Sequence, residues 1–401
     1  EILQVSRKVF SVGDLKQSIS QHSAPRPPVF LRTMVNQVEL LQWYIMTRRN
    51  FSRKKKLRYL SLIDYVERPL IPNVSFDLAR YTNANCEHEF RFDVAGVHEL
   101  FSLLRIPDEV VTVYNGKVHD RCPGIEALCI MLRRPATPMR YYDMLQVFGS
   151  SRGRLSRIFL HMIDYVHDTF SDKLYMPTHI VAARINDYCA AISAKGAPMD
   201  GIFGFPDGTK LGICRPSPRP GGVRGENLQR HCYSGHKRCH CLNYQAVTAP
   251  DGLCIHFWGP MEGRRHDTTM LRESKLIAHF HSHPEVFEER FLYGDPAYGV
   301  QDFIISGYKG NGISDAERQF NREMSRLRES VEWNFKCLKT LWPFVDYKRT
   351  QKIRLSPVGK FVKVAMLLTN CHNCYTGGNQ ISQYFDIAPP SMLEYLIDGP
   401  I

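Results

Sequence analysis

Three acidic side chains carry the strongest chemical suggestion in this 401-residue chain: Asp207 in Phe-Pro-Asp-Gly-Thr, Asp295 in Tyr-Gly-Asp-Pro-Ala-Tyr and Glu332 in Ser-Val-Glu-Trp-Asn-Phe. Each aspartate directly follows a short apolar run that stops at a turn signal, which predicts a carboxylate at a strand end. The glutamate belongs to a long helical pattern. Carboxylates gathered from distant segments suit hard Mg²⁺ or Mn²⁺ better than thiolate or imidazole would. Two such ions about 3.5 to 4 Å apart activate a nucleophile and stabilise the leaving oxygen of a phosphodiester. The trio is separated by 88 and 37 residues, so only a fold can gather it.

Each member also has a local reading. Asp207 before Gly208 and Asp295 before Pro296 both fit Asx turns. Glu332 has Arg328 four residues before it and Lys336 four after, which fits a surface ion-pair residue contributing about 0.3 to 0.5 kcal/mol per pair. Asp267, in Arg-His-Asp-Thr-Thr-Met-Leu, precedes a short helical pattern and reads as an N-cap, with a fourth acid near the metals as the alternative.

The elements that must position these groups lie after the Gly196-Ala197-Pro198 break. Gly201 to Phe205 reads as a strand ending at Asp207. Leu242 to Val247 and Leu253 to Trp258 read as a hairpin joined by Ala-Pro-Asp-Gly, and Arg290 to Tyr293 as a strand ending at Asp295. From about Ser314 to Trp342 the spacing predicts a helix, with Met324, Leu327, Val331, Phe335, Leu338 and Leu341 on one apolar stripe. Strands and helices at this scale give an α/β domain, with its bounds at 197–376 and an uninformative tail at 377–401.

Upstream, Phe90 to Lys195 shows helical spacing without strand-like alternation, which predicts an all-α domain over 61–196. Within it, Met139 to Val147 and Leu155 to Val166 flank Phe148-Gly149-Ser150-Ser151, the outline of a helix-turn-helix or of an ordinary αα-hairpin. Leu155, Phe159 and Met162 would face the core. Arg152, Arg154, Arg157 and His161 would meet phosphates or base edges. The first sixty residues read as a basic, partly disordered arm. Its densest stretch, Arg48 to Arg58, shows no periodicity and fits a nuclear-import signal, a DNA-backbone contact or a solvated linker.

Lys and Arg total 52 against 40 Asp and Glu, and the net charge of +12 points to a polyanion, with nucleic acid ahead of anionic membrane. No run approaches the roughly 18 apolar residues of a membrane span. The N-terminus shows no signal peptide, so the twelve cysteines read as reduced intracellular thiols, while the start at Glu1 leaves room for an upstream portion. Zinc at Cys239-x-Cys241 with Cys371-x-x-Cys374 is not expected, because the two pairs occupy a strand approach and a buried-looking helix. His279, His281 and His283 alternate on an expected loop. Arg224, Arg230, His231, His236, Lys237 and Arg238 follow the first aspartate and would suit phosphate contacts, or a solvated loop.

Asp-Gly-Thr after an apolar strand, Tyr-Ser-Gly-His-Lys-Arg at 233–238 and Asn-Tyr-Gln-Ala-Val-Thr-Ala-Pro-Asp-Gly at 243–252 together resemble PIF/Harbinger-type transposases of the DDE superfamily. Gly-Arg-Arg-His-Asp at 263–267, Gly-Asp-Pro-Ala-Tyr at 294–298, Val-Glu-Trp-Asn-Phe-Lys-Cys-Leu-Lys at 331–339 and Leu-Leu-Thr-Asn-Cys-His at 367–372 follow in family order. The resemblance implies an RNase H-like catalytic domain, a mixed sheet flanked by helices, whose Asp-Asp-Glu metal site falls on Asp207, Asp295 and Glu332. It implies nuclear DNA cleavage and strand transfer with Mg²⁺ or Mn²⁺, acting on terminal inverted repeats and target DNA. A separate Myb-like DNA-binding protein is an implied accessory, and a homo-oligomer stays open. The alternatives are a domesticated protein that binds or scaffolds DNA without cutting, and a nuclease without strand transfer.

Overall fold

The computed structural model describes residues 37–63, 71–217, 228–310 and 312–397. They fall into two compact units, divided between Leu70 and Ile71. The first holds α1 (Gln37–Thr47) and α2 (Arg53–Ile63), so the basic stretch read as aperiodic is partly helical. Local forces explain it. Lys and Arg are good helix formers, the Ser52 hydroxyl accepts the Lys55 N–H at 3.2 Å, and the Lys56 ammonium donates to the Met46 carbonyl at 2.7 Å, tying α2 to α1. Arg53, Lys54, Lys55 and Arg58 remain exposed, and the part of the arm before Gln37 lies outside the described residues.

The second unit begins with α3 (Asn83–Phe90), α4 (Val94–Leu103), β1 (Glu109–Tyr114), β2 (Lys117–Pro123), α5 (Gly124–Ala136), α6 (Leu145–Phe148), α7 (Arg152–Phe170) and α8 (Thr178–Ala194). An all-α reading is therefore corrected: β1 and β2 form an antiparallel hairpin. Asn115 and Gly116 sit at its tip with φ of +50° and +72°, the left-handed pair that a tight hairpin turn requires. The first of the two expected turn-flanking helices, α6, is a single turn. It ends at left-handed Gly149, and the Ser151 hydroxyl caps α7 by accepting the Arg154 N–H.

The chain continues through β3 (Ile202–Gly212), α9 (Leu228–Cys232), β4 (Tyr233–Ser234), β5 (Cys239–Thr248), β6 (Cys254–Glu262), α10 (Asp267–Ser274), α11 (Leu276–His281), α12 (Pro284–Phe287), β7 (Phe291–Gly294) and β8 (Ile304–Ser306). It closes with α13 (Asp315–Leu341), α14 (Val358–Tyr375), α15 (Gln380–Phe385) and α16 (Met392–Leu396). The sheet runs β4-β5-β3-β7-β8, with β6 also paired to β5. Its β4, β5, β6 and β3 pairings are antiparallel, whereas β3-β7 and β7-β8 are parallel. This mixed sheet, with α8 and α13 packed on β3 and α14 on β6, is consistent with the RNase H-like expectation.

The helical segment and the sheet segment share one core rather than meeting as separate bodies. Phe159 of α7 packs its ring 6.2 Å from Phe344 and 5.5 Å from Phe361 of the later segment. The hairpin turn between β5 and β6 is buried, and the fully buried Asp251 carboxylate accepts the Tyr188 hydroxyl at 2.6 Å and the Arg184 Nε–H at 3.2 Å. Residues read as a tail carry α15 and α16, each started by a capping box, with Ile381, Phe385, Met392 and Tyr395 buried. His279 and His281, expected on a loop, belong to α11. No helix among the described residues is long and apolar enough to cross a membrane.

Candidate active site

Asp207 lies inside β3, paired with Ala246 of β5, rather than at the strand's end as the sequence suggested. Apolar runs end where polar residues begin, but β3 continues to Gly212 because β5 stays paired with it along that length and backbone hydrogen bonding outweighs the turn signal. Asp295 does follow its strand. Since β7 runs parallel to β3, Asp295 emerges toward the same end of the sheet as Asp207. Its Oδ1 accepts the Ala297 N–H at 2.7 Å, so the Asx turn and a site role coexist in one side chain.

The third acid comes from α13, which begins at a Ser314–Glu317 capping box. The predicted stripe is buried at Met324, Leu327, Val331, Phe335 and Leu338. With that face on the core, Arg328, Glu332, Lys336 and Lys339 occupy the flank of the helix. Glu332 and Asp207 line one cleft of about 420 Å³ together with Gly208, Thr209, Lys336 and Lys339. Among the described residues no ion pair joins Glu332 to Arg328 or Lys336, contrary to the surface-pair reading.

Arg328 reaches elsewhere. Its Nη1 lies 3.7 Å from Asp207 Oδ1 and its Nη2 3.9 Å from Asp295 Oδ2, so one guanidinium spans both aspartates. Burial pushes the Asp207 carboxyl up to about 6, and the negative charges of Asp267 and Glu332 add to the rise. Arg328 and the Gly208 N–H oppose it without cancelling it. Asp267 is likewise raised, first by burial, with Asp295 adding to it and Lys210 opposing.

Asp267 is thus a fourth acid at the site, the lesser of its two sequence readings. The N-cap position of α10 is taken by His266, and Asp267 is the first helical residue. Its Oδ1 stands 2.7 Å from where a Cβ on Gly208 would be. The glycine of Asp-Gly-Thr is therefore a place of close approach, and a side chain there would displace the carboxylate.

The basic residues divide. Arg154 donates to Glu126 at 3.3 Å and to the Arg121 carbonyl at 2.8 Å, and Arg157 grips Asp120 at 2.6 and 2.9 Å. Both guanidinium groups are therefore engaged within the protein, with Glu126 of α5 and with Arg121 and Asp120 of the β1-β2 hairpin. Arg152 is exposed at the start of α7. His236, Lys237 and Arg238 are exposed on the turn between β4 and β5. His231 pairs with Glu262 at 3.2 Å, and Arg224 lies outside the described residues.

Hard oxygen donors at Asp207, Asp267, Asp295 and Glu332 are the right kind for Mg²⁺ or Mn²⁺. Burial is the main cause of the raised Asp207 carboxyl, and the nearby Asp267 and Glu332 charges add to it, so a bound cation would stabilise the ionised form. In the present arrangement, no group of three or more His, Cys, Asp or Glu among the described residues is gathered tightly enough to hold an ion, and Arg328 supplies the cation between the two aspartates.

Comparison with curated proteins and with solved structures finds no match. Residues 206–370, the span that contains Asp207, Asp267, Asp295, Arg328 and Glu332, match the family model described as DDE superfamily endonuclease, which supports a transposase or nuclease function for this part of the chain.

Proposed function

We propose that the protein is a Harbinger-like DNA transposase or endonuclease in which Asp207, Asp295 and Glu332 form the acidic centre. One observation carries the reading: residues 88 and 37 positions apart come to one end of the sheet, Asp207 and Glu332 in a single cleft and Asp295 tied to Asp207 through Arg328. Surface carboxylates at turns would have no reason to converge in this way.

The three carboxylates would hold Mg²⁺ or Mn²⁺, which when bound lowers the pKa of a water or hydroxyl nucleophile and stabilises the leaving oxygen. The chain's own residues do the rest. Lys336 and Lys339, on the cleft wall beside Glu332, hold the scissile phosphate by charge. Asp295, with one oxygen fixed by the Ala297 N–H, keeps its other oxygen oriented toward Arg328. Gly208 lets Asp267 approach the strand and concentrate negative charge there. The exposed His236, Lys237 and Arg238, with Arg152, would track the DNA backbone. Terminal repeats and target DNA as partners, a Myb-like accessory protein and nuclear residence belong to the same proposal.

The test is Mg²⁺- or Mn²⁺-dependent cleavage of DNA carrying candidate terminal repeats, with Asp295→Asn as control. Cleavage by the parent chain and its loss in the variant support the assignment. Equal activity in Asp295→Asn sinks it, and metal-independent binding without cleavage favours a scaffold.

A further inference from the structure

Arg328 is the one group of the centre that the trio leaves unexplained. It stands one helical turn before Glu332, and its backbone is fixed because Met324, Leu327 and Val331 on the same helix are fully buried. The side chain is only 19% exposed, and its fork reaches carboxylates carried by two different strands. At 3.7 and 3.9 Å these contacts are ion pairs and not hydrogen bonds, so the guanidinium is held by charge without a directional lock. Tyr293 and Tyr298 also feel its field, and no other cation among the described residues bridges the two aspartates.

On Asp295 the oxygen it faces is the open one. Asp295 Oδ1 is committed to the Ala297 N–H, which leaves Oδ2, the atom nearest Arg328, as the acceptor for any incoming cation. On Asp207 the Gly208 N–H stabilises the charged form while Oδ1 faces Arg328. A guanidinium and a divalent cation that approach the same oxygens repel each other and compete for their lone pairs.

We infer that Arg328 is a positioning residue that acts as an exchangeable internal cation: it holds Asp207 and Asp295 together before metal binds and yields its place to the metal. This rests on the metal-dependent reading above and deepens it. The exchange sets the metal concentration at which the centre loads, since every ion must displace a resident positive charge. It also keeps the clustered acids from driving the strand ends apart in the metal-free protein.

The experiment is a calorimetric Mn²⁺ titration of the full chain, with Arg328→Gln, Arg328→Lys and Asp295→Asn beside the parent, together with thermal melts with and without Mn²⁺. Exchange predicts that Arg328→Gln binds Mn²⁺ about tenfold more tightly, because a like charge has been removed from the coordination zone. The same variant should melt lower without metal and recover with it. Arg328→Lys, a point charge on a shorter stem that cannot span both aspartates, should fall between parent and Gln. Unchanged or weaker Mn²⁺ binding in a folded Arg328→Gln or Arg328→Lys chain overturns the exchange while leaving the metal centre intact. Absence of Mn²⁺ binding in the parent and in every variant overturns the metal centre itself, and the exchange with it.

Discussion

Two arginine–aspartate contacts in this molecule show what distinguishes a structural ion pair from a working centre. On α7, Arg157 meets Asp120 with two hydrogen bonds of 2.6 and 2.9 Å, and the Thr112 hydroxyl adds a third at 2.9 Å. Hydrogen bonding from Arg157 holds the Asp120 carboxyl below its ordinary range. At the sheet end, Arg328 stands 3.7 and 3.9 Å from two aspartates, and burial lifts Asp207 to about 6. The residue types are the same and the shifts are opposite. Short hydrogen bonds stabilise the charged form of one carboxylate; burial disfavours the charged form of the other, which a bound cation would stabilise.

The sharpest way to break this comparison is to neutralise one carboxylate from each region. Asp207→Asn is expected to lower metal-dependent DNA cleavage on the order of a thousandfold while the chain stays folded, as read by a cleavage assay alongside circular dichroism. Asp120→Asn should leave cleavage per folded molecule untouched. Substantial cleavage by Asp207→Asn would place the centre elsewhere.

Stability should respond the other way round. Asp120→Ala leaves Arg157 without its partner, and since Arg157 is 44% exposed and Asp120 only 7%, the loss is expected to be roughly 2 kcal/mol, below that of a fully buried pair. Urea denaturation at neutral pH measures it. Because the folded-state pKa of Asp120 is depressed, its contribution is present above the ordinary value of 3.8 and is lost as pH falls through the folded-state value. The difference between parent and Asp120→Ala should therefore shrink in acid. A difference that persists unchanged to the lowest pH at which the chain folds would deny the ion pair its role.

How much of this was legible beforehand depends on whether the deciding interaction was local. The β5-β6 hairpin, the strand before Asp295 and the long α13 stripe follow from period and turn chemistry, and the structure has them nearly where the sequence placed them. The β1-β2 hairpin also had a local signal, Asn115-Gly116 between β-branched residues, which the surrounding helical spacing concealed. Arg328 had none. Its neighbour at four residues, Glu332, offers a solvated pair contributing a few tenths of a kcal/mol, and two aspartates on a sheet that sequence alone cannot position offer more. The internal partners of Arg154 and Arg157 were hidden for the same reason: Glu126 and Asp120 lie 28 and 37 residues away.

A smaller effect tests how closely the acids are packed. Gly208 has an ordinary φ, so Gly208→Ala brings no backbone strain; the added methyl would instead meet Asp267 Oδ1 at 2.7 Å. The carboxylate must move, and cleavage should fall about tenfold with little change in melting temperature, the scale on which small misplacements at a reacting centre act. Rescue is informative here. If Asp267 matters only as the first residue of α10, Gly208→Ala should be silent in cleavage and Asp267→Asn should be silent too.

The smallest effect concerns which basic residues touch DNA. On α7 the guanidinium groups of Arg154 and Arg157 are already paired within the protein, whereas His236, Lys237 and Arg238 stand exposed on the β4-β5 turn. Phosphate contacts release counterions, so each one lost should reduce the salt dependence of binding by a slope of about 1 and weaken affinity only a few-fold at low salt. Lys237→Ala combined with Arg238→Ala is expected to lower the slope by about 2 across unrelated DNA sequences, measured by fluorescence anisotropy over a range of salt. Arg157→Ala should leave that slope unchanged, because a side chain bound bidentately to Asp120 has no charge to offer a phosphate without first breaking two short hydrogen bonds. The reverse outcome, a slope that falls with Arg157→Ala and not with the turn variant, would mean that DNA opens the hairpin contact and that the satisfied pair, not the exposed turn, is the one that engages the backbone.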